Sequence, residues 1–534
     1  MVFTLHRYIF RELFRVFVLA AVALTLILSL GSILRPVQEY GVGPRQVIHL
    51  MVYFLPITLT FVLPMAALFA GALVYGRFAS DNELDACKAS GISLLTLVYP
   101  GLVLAMIVAI ANLLLSFHVM PAFVHLAEKS LKADAKQILF RNLQRKGYYR
   151  LPPDKEYIIY ADDANLQNDT LSGVVITEVK NDGINKIITA QSAKVNFNPH
   201  DRFNEVQITA YKTSQMGAED EMWFNMELVS LRAEFGSLLS DSIKFKRIDQ
   251  MKRIQADLMQ FYPIAKLARE TCAQLTTELL AQDIKARIAD DTNNFYELLG
   301  MPNSVKFTAG QCSVQDEEVE LSDENEVVVI EYDTDSKQPL RTLKCKKASL
   351  HIEGDKLAPT LTMDIYQAKV AESGEIKMRH IIRGLIPPPA VEDIASEFKT
   401  ESGSLRTEKL VSDLPGLQPS PMLTELQNKL RRGIRKTLAQ IQAEIHSRLV
   451  FGIGCISMIL IGVGLGIMKK GGHLLSAFGA SCVPAAILIV CIMGGKNITK
   501  NLSSQGISGI ALMWAGLVFL SLLALVIYRR LLKN

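Results

Sequence analysis

Six long apolar runs contain no Asp, Glu, Lys or Arg, and they lie at the two ends of this chain. A helix needs about 20 apolar residues to cross roughly 30 Å of hydrocarbon, and each run is long enough. In lipid the backbone must pair its own polar groups, so the runs are predicted to be helices. The sequence therefore predicts a polytopic α-helical membrane protein with six transmembrane helices, three before a long polar segment and three after it (3+3). The residues that bound the runs are Arg15 to Arg35, Arg45 to Arg77, Lys88 to Glu128, Arg448 to Lys469, His473 to Lys496 and Lys500 to Arg529.

The Lys and Arg residues of the short loops predict the orientation, because cytoplasmic loops carry an excess of positive charge. With the N-terminus in the cytoplasm, most of these residues fall on the inner side, so both termini are expected to be cytoplasmic. The polar segment after the third helix then lies on the outer side. The inner residues are Arg7, Arg11, Arg15, Arg77, Lys88, Lys469, Lys470, Arg529, Arg530 and Lys533, against Arg35, Arg45, Lys496 and Lys500 outside.

The polar segment begins with short runs of β-branched and aromatic residues separated by turn residues, a pattern typical of a β-sandwich or jelly roll. These runs are 157–160, 174–177, 186–189, 194–197 and 206–209. We expect membrane parts over 1–127 and 446–534. Between them we expect a β-jellyroll over 128–250, a helical insertion over 251–300, a second β unit over 301–386, and a linker and helix over 387–445.

The second β unit resembles the first at three points, each offset by 154 or 155 residues. Val174 corresponds to Val328, Ala193-Lys-Val195 to Ala348-Ser-Leu350, and Val206-Gln-Ile208 to Leu361-Thr-Met363. Either the unit is duplicated, or the matches arise because all strands have similar compositions.

A short acidic segment lies between the second and third apolar runs, at about 80–90. Ser80 and Glu83 have the spacing of a capping box, and Gly91 is suited to end a helix. Asp81 and Asp85 add negative charge on the side where basic residues are usual. The segment is either an ordinary capped turn or a helix that docks a partner protein.

The fourth run contains Gly462 and Gly466, which either form a GxxxG pair that lets another helix approach closely or reflect the general frequency of glycine in membrane helices. The spans contain no acid, which argues against an ion-coupled carrier. The basic residues at their outer ends suit an amphiphile with an anionic headgroup, although they could equally be snorkelling to lipid phosphates. These headgroup candidates are Arg35, Arg45, Lys496 and Lys500.

Motifs for catalysis are missing from the sequence: it has no GxxxxGK[ST], GxSxG, HExxH or CxxC pattern. We therefore expect no catalytic residues, no metal and no cofactor. The net charge of +4 gives no indication of nucleic-acid binding. Cys272, Cys312 and Cys345 allow at most one disulfide in the outer segment.

Four stretches resemble the LptF/LptG (YjgP/YjgQ) permease family of the lipopolysaccharide export system. They are RYIFRELF before the first span, LPMAALFAGALVYGRFASDNELDACKASGIS, the strand ITAQSAKV, and His446-Ser-Arg448 at the start of the fourth span. In this family three helices, a periplasmic β-jellyroll and three more helices form half of an ABC exporter in the cell inner membrane. Members usually have a single jellyroll, so 250–420 departs from the family pattern.

The resemblance implies a set of partners and a role for the acidic segment. The partners are a cytoplasmic ATPase dimer, a second permease subunit, periplasmic bridge proteins with jellyroll folds, and lipopolysaccharide. The coupling helix would be the segment with Asp81, Glu83, Leu84 and Asp85, and Glu83 would reach into the ATPase. The expected function is extraction of lipopolysaccharide for outer-membrane biogenesis. The alternatives are a permease for another envelope lipid or lipoprotein, and a membrane-anchored scaffold.

Overall fold

The computed structural model describes residues 2–40, 44–133, 135–151, 157–180, 183–199, 204–217, 224–235, 242–288, 295–315, 318–334, 336–353, 360–398, 405–412, 419–468, 474–501 and 506–533. Within these residues, six helices are long and apolar enough to cross a membrane. Their spanning parts are Phe3–Gly31, Met51–Ser80, Leu94–Ser130, Pro421–Met468, Val483–Lys500 and Ser508–Leu532. The six predicted spans are thereby confirmed as helices.

The helices of the first part of the chain are α1 (Val2–Tyr40), α2 (Pro44–Ser80), α3 (Glu83–Ala89), α4 (Leu94–Leu114), α5 (Met120–Ala133) and α6 (Ala135–Lys146). A single π-helical turn, Leu115–Val119, joins α4 to α5. The later helices are α7 (Ile248–Ala256), α8 (Tyr262–Ile288), α9 (Pro389–Glu397), α10 (Thr407–Val411), α11 (Pro421–Met468), α12 (Leu474–Lys500) and α13 (Gly506–Lys533).

The chain divides into two compact units. The first comprises residues 1–252 and 437–534, and the second comprises 253–436. The spans that contain α2, α4 and α11 form the centre of the helical part of the first unit. Half or more of the most apolar stretch of each is buried, whereas only 17% of that stretch is buried in the first span. At this centre the hydroxyl of Tyr75 donates a 2.8 Å hydrogen bond to the carbonyl of Leu97.

The first unit also contains a curled six-stranded antiparallel sheet in the order β1 to β6. Every neighbouring pair is consecutive in the chain, so the sheet is a meander and lacks the Greek-key connections of a jelly roll. Its strands are β1 (Tyr148–Arg150), β2 (Tyr157–Asn165), β3 (Thr170–Lys180), β4 (Gly183–Pro199), β5 (Asn204–Gly217) and β6 (Phe224–Phe235).

The runs 186–189 and 194–197, expected as two strands, lie on the single strand β4. No glycine or proline separates them, so nothing interrupts the extended backbone. The turn residues Asn181-Asp-Gly183, which separate two of the predicted strands, have their first two positions outside the described part of the chain. One face of the sheet is apolar, and α6 packs on it: Leu139 and Phe140 are buried with Ile159, Leu171 and Ile176.

The second unit contains α8 and a second antiparallel sheet in the order β13-β12-β11-β10-β8-β7, with β9 paired to β10. A bridge between Gly300 and Leu385 joins the two ends of this sheet at one point. The strands are β7 (Tyr296–Leu298), β8 (Asn303–Phe307), β9 (Gln311–Gln315), β10 (Glu318–Asp333), β11 (Pro339–Glu353), β12 (Thr360–Val370) and β13 (Ile376–Leu385).

The expected helical insertion over 251–300 needs a correction, because it ends in strand β7, where Tyr296–Leu298 pairs with β8. The stretch 387–445, expected as a linker and helix, contains the short helices α9 and α10 before α11 begins. Apolar side chains at Val391 and Leu410 are buried, which explains why these short helices are ordered despite the prolines around them.

The pairing of β4 with β5 recurs between β11 and β12 with a constant offset of 155 residues, as from Ala193 to Ala348. Val195 pairs with Ile208 in the first sheet, and Leu350 pairs with Met363 in the second. All four of these side chains are buried. Register in a sheet is specified by which face is buried, so the shared register carries more weight than the short sequence matches.

Candidate functional site

The acidic segment forms α3, a seven-residue helix whose acidic side chains point outward. Asp81 and Glu83 are exposed and Asp85 is partly exposed, whereas Leu84 is buried against the helical core. The segment therefore combines one apolar anchor with a negatively charged outer surface. This arrangement is suited to docking a basic partner.

The start of α3 differs from the predicted capping box. Ser80 is the last residue of α2, and the residue before α3 is Asn82, in a left-handed conformation (φ 55°) without a side-chain cap. Asparagine tolerates this conformation better than most residues, which allows a tight connection between the two helices. Gly91 follows the helix with φ of +80°, as expected for its stop signal.

The pair Gly462 and Gly466 lies against α2 of the same chain. A β-carbon added at Gly462 would be 2.8 Å from the carbonyl oxygen of Leu68, and one added at Gly466 would be 2.7 Å from that of Ala72. The backbones of α11 and α2 therefore touch, and any side chain here would separate them.

Two of the four headgroup candidates, Lys496 and Lys500, occupy the last turns of α12. Lys500 is exposed, and the ammonium group of Lys496 lies 2.7 Å from Oε2 of Glu444 on α11. The side chains of Arg35 and Arg45 lie outside the described residues, so these two candidates stay predictions.

Glu444 and Arg448 form a buried ion pair one helical turn apart on α11. The Nε of Arg448 donates to Oε1 of Glu444 at 3.1 Å, and Arg448 as a whole is only 5% exposed. A buried charge is tolerated when it is paired and its hydrogen bonds are satisfied. With Lys496 on its other oxygen, Glu444 meets this condition on both sides.

The remaining donors of Arg448 reach three backbone carbonyls. One terminal nitrogen donates to the carbonyls of Ser116 (3.0 Å) and Lys246 (3.3 Å), and the other donates to that of Lys244 (2.7 Å). Its guanidinium also lies over the ring of Phe117, 5.5 Å from the centroid. Ser116 and Phe117 belong to the π-turn, and residues 244 and 246 belong to the segment just before α7.

The surroundings of Lys244 show that the region is electropositive. Partial desolvation lowers the pKa of Lys244 below its ordinary value, and Lys496, Lys500 and Arg448 lower it further, while Glu444 opposes them. Four cationic side chains thus act around one carboxylate. The charge of Arg448 is paired with that of Glu444, and we call the three lysines (Lys244, Lys496 and Lys500) the basic cluster. Its excess of positive charge would favour a bound anion such as a phosphate group.

The sequence indicated Lys496 and Lys500 but not Lys244 or Glu444, and it drew attention to Arg448 only through the family resemblance. A signal was present: Glu444 and Arg448 have the i,i+4 spacing of a helical ion pair where α11 changes from charged to apolar. The sequence could not show that Lys244 belongs to this cluster, because only folding brings residue 244 close to residue 496.

A family model described as lipopolysaccharide export system permease LptF/LptG matches residues 7–251 and 321–530. The match covers well over half of the chain. It includes α3, all six spans and the basic cluster, and it omits 252–320, which holds α8 and strands β7 to β9. No curated protein matches the chain.

Proposed function

Since the chain belongs to the LptF/LptG family of lipopolysaccharide export permeases, we propose that it is the transmembrane permease subunit of an ABC exporter that extracts lipopolysaccharide from the inner membrane. It would pass the lipid to a periplasmic bridge. Members of this family are multi-pass proteins of the inner membrane, and they act as part of a transport complex. ATP hydrolysis would come from a separate cytoplasmic ATPase dimer, and a second permease subunit would complete the membrane part.

The proposed orientation has both termini in the cytoplasm and the strand-rich region (148–385) in the periplasm. It is supported by the Lys and Arg distribution. Chain order gives further support, because α3 and the end of α12 are separated by an odd number of spans and so fall on opposite sides. An ATPase-facing helix and a cluster that receives lipid headgroups would have to lie on opposite sides.

The observation that carries the substrate proposal is the basic cluster. Lipopolysaccharide has an anionic phosphorylated head and several acyl tails, and its head would be attracted to Lys244, Lys496 and Lys500. Glu444 would hold Lys496 in place until a phosphate competes for it. Arg35 and Arg45 would complete the headgroup contacts from α1 and α2, and the acyl tails would lie against the uncharged faces of the spans.

The coupling proposal concerns α3. ATP-driven closure of the partner would press on this helix through Asp81, Glu83 and Asp85, and the buried Leu84 would transmit the movement into the helical core. Such a route would narrow the space between the helices and expel the lipid.

The test is the amount of lipid retained by the purified full-length complex after mild detergent extraction, measured by mass spectrometry. Lys500→Glu should lower retained lipopolysaccharide by about tenfold, because it reverses a charge in a site that binds a charged group. Arg530→Glu, an exposed basic residue at the far end of α13, serves as the control and should have little effect. Equal retention in the parent and the Lys500 variant would reject the headgroup site. Retention of a different envelope lipid would support the alternative permease, and no retained lipid at all would support a scaffold.

A further inference from the structure

Arg448 joins parts of the first unit that are far apart in sequence. Its guanidinium holds the π-turn between α4 and α5 and the segment 244–246, and its own helix is α11. The segment 244–246 follows the last strand of the six-stranded sheet and precedes α7. Through Glu444, the same contacts extend to Lys496 on α12.

The acceptors on both segments are backbone carbonyls. Arg448 therefore fixes the position of the backbone and does not depend on the side chains of these residues. The N–H of Met120 bonds to the carbonyl of Leu115, and Pro121 has no N–H, so neither residue donates to the carbonyl of Ser116. This carbonyl can therefore accept from Arg448. The ring of Phe117 adds a cation–π attraction that favours this position of the guanidinium.

Only arginine has the donors for this arrangement. The guanidinium carries five N–H groups in a rigid planar fork, and here they serve Glu444 and three carbonyls. A lysine in the same place would keep the positive charge beside Glu444. It has three donors on a single nitrogen, which cannot reach acceptors on both the π-turn and 244–246.

We infer that Arg448 is a positioning residue that couples the membrane helices to the six-stranded sheet, so that segment 244–246 moves together with the π-turn and α11. This inference rests on the proposed function, since it concerns how helix movement in an exporter reaches the sheet that would receive the lipid. Arg448 does not contact lipid in this role. Its role is to make α11, the π-turn and segment 244–246 move together.

The first test measures ATP hydrolysis and lipopolysaccharide transfer by the complete exporter in proteoliposomes. Arg448→Lys should leave ATP hydrolysis nearly unchanged and lower the lipid transferred per ATP by about tenfold, as expected when the coupling between two sites is weakened. Arg431→Lys is the matched control: Arg431 also lies on α11 and donates to a carbonyl, that of Val411, but it is exposed. Equal loss of both activities in the Arg448 variant, or loss of neither, would overturn the inference.

The second test requires no variant. Hydrogen exchange of the parent complex is followed in the regions 115–119 and 242–247 with and without ATP. If Arg448 couples them, the protection of both regions changes in the same direction on ATP binding. A change in only one region, or in neither, would overturn the inference. If the parent transfers no lipid at all, the proposed function fails, whereas this exchange measurement still decides the role of Arg448.

Discussion

Lys212 on β5 and Gln367 on β12 share the same left-handed backbone conformation, each with φ of 49°, and they are separated by the same 155 residues that relate the strand registers around them. A residue other than glycine seldom adopts this conformation. Its occurrence at equivalent points of two sheets, next to strands in identical register, supports a duplicated β unit. We propose that β11 and β12 arose as a copy of β4 and β5.

Glycine at these two equivalent positions should stabilise the protein. Lys212→Gly and Gln367→Gly would each remove a left-handed strain of about 1–2 kcal/mol, partly offset by roughly 0.5–1 kcal/mol of extra chain entropy in the unfolded state. We expect both variants to unfold at slightly higher temperatures, and β-branched valine at either position to lower the midpoint. Thermal unfolding of the detergent-solubilised protein measures this. Opposite responses at the two positions would argue against equivalent backbone sites.

The GxxxG pair predicts a packing defect when its glycines are enlarged. Gly466→Leu would place side-chain atoms where Ala72 of α2 lies, and overpacking of this kind destabilises by about 1–3 kcal/mol. We expect less monodisperse protein after extraction and a lower unfolding midpoint. Gly479→Ala is the control, since among the described residues no atom lies within 4 Å of its added β-carbon. If both variants behave like the parent, α11 and α2 do not require close approach.

Removal of the exposed carboxylate of Glu83 should weaken the binding of a partner protein to α3. A charge-assisted contact with a basic groove is worth about 1.5–3 kcal/mol, so Glu83→Ala should weaken association with the proposed ATPase partner by roughly tenfold or more. Co-purification and lipid-stimulated ATP hydrolysis measure the effect, with membrane insertion unchanged. Arg530→Ala gives a comparison at another exposed charge. Normal association and normal transport in the Glu83 variant would remove this residue from the coupling surface.

The acid stability of the second unit should depend on Glu331. Burial raises the pKa of Glu331, but hydrogen bonds from His380 and Asn303 and the nearby charge of Arg341 outweigh it, so the net pKa lies below the ordinary value. A lowered pKa in the folded state contributes stability at pH values above the unfolded pKa, near 4.3, and this contribution is lost as the pH falls through the folded pKa.

Glu331→Gln should therefore unfold at a lower temperature at pH 7, by an amount that corresponds to about 1–3 kcal/mol. The difference from the parent should shrink as the pH is lowered below about 4, because the parent loses the same interactions there. Unfolding midpoints at several pH values provide the measurement. Glu372, an exposed acid that accepts a hydrogen bond from the backbone of Thr342, gives a matched Glu→Gln control. A difference that is independent of pH would mean that the charge of Glu331 is not responsible.

The sequence alone determined the six spans, the presence of strand-rich regions and the family, because these depend on local properties. An apolar run without charges has one stable form in lipid, and the motif from Leu63 to Ser93 can be recognised without knowledge of any contact. The sequence did not determine the strand boundaries. Its pattern predicted two strands within residues 186–197, whereas pairing with β3 and β5 makes these residues part of one strand.

Only the tertiary structure decided which residues meet. The GxxxG pair marked a close approach, but its partner, α2, became visible only in the fold. The basic cluster depends on residues 244 and 496 being brought together. Arg448 bonds to backbone carbonyls, and every residue has one, so the identities of Ser116, Lys244 and Lys246 give no signal in the sequence. Long-range contacts to the backbone depend on how the chain folds, and for this reason the role of Arg448 appears only in the structure.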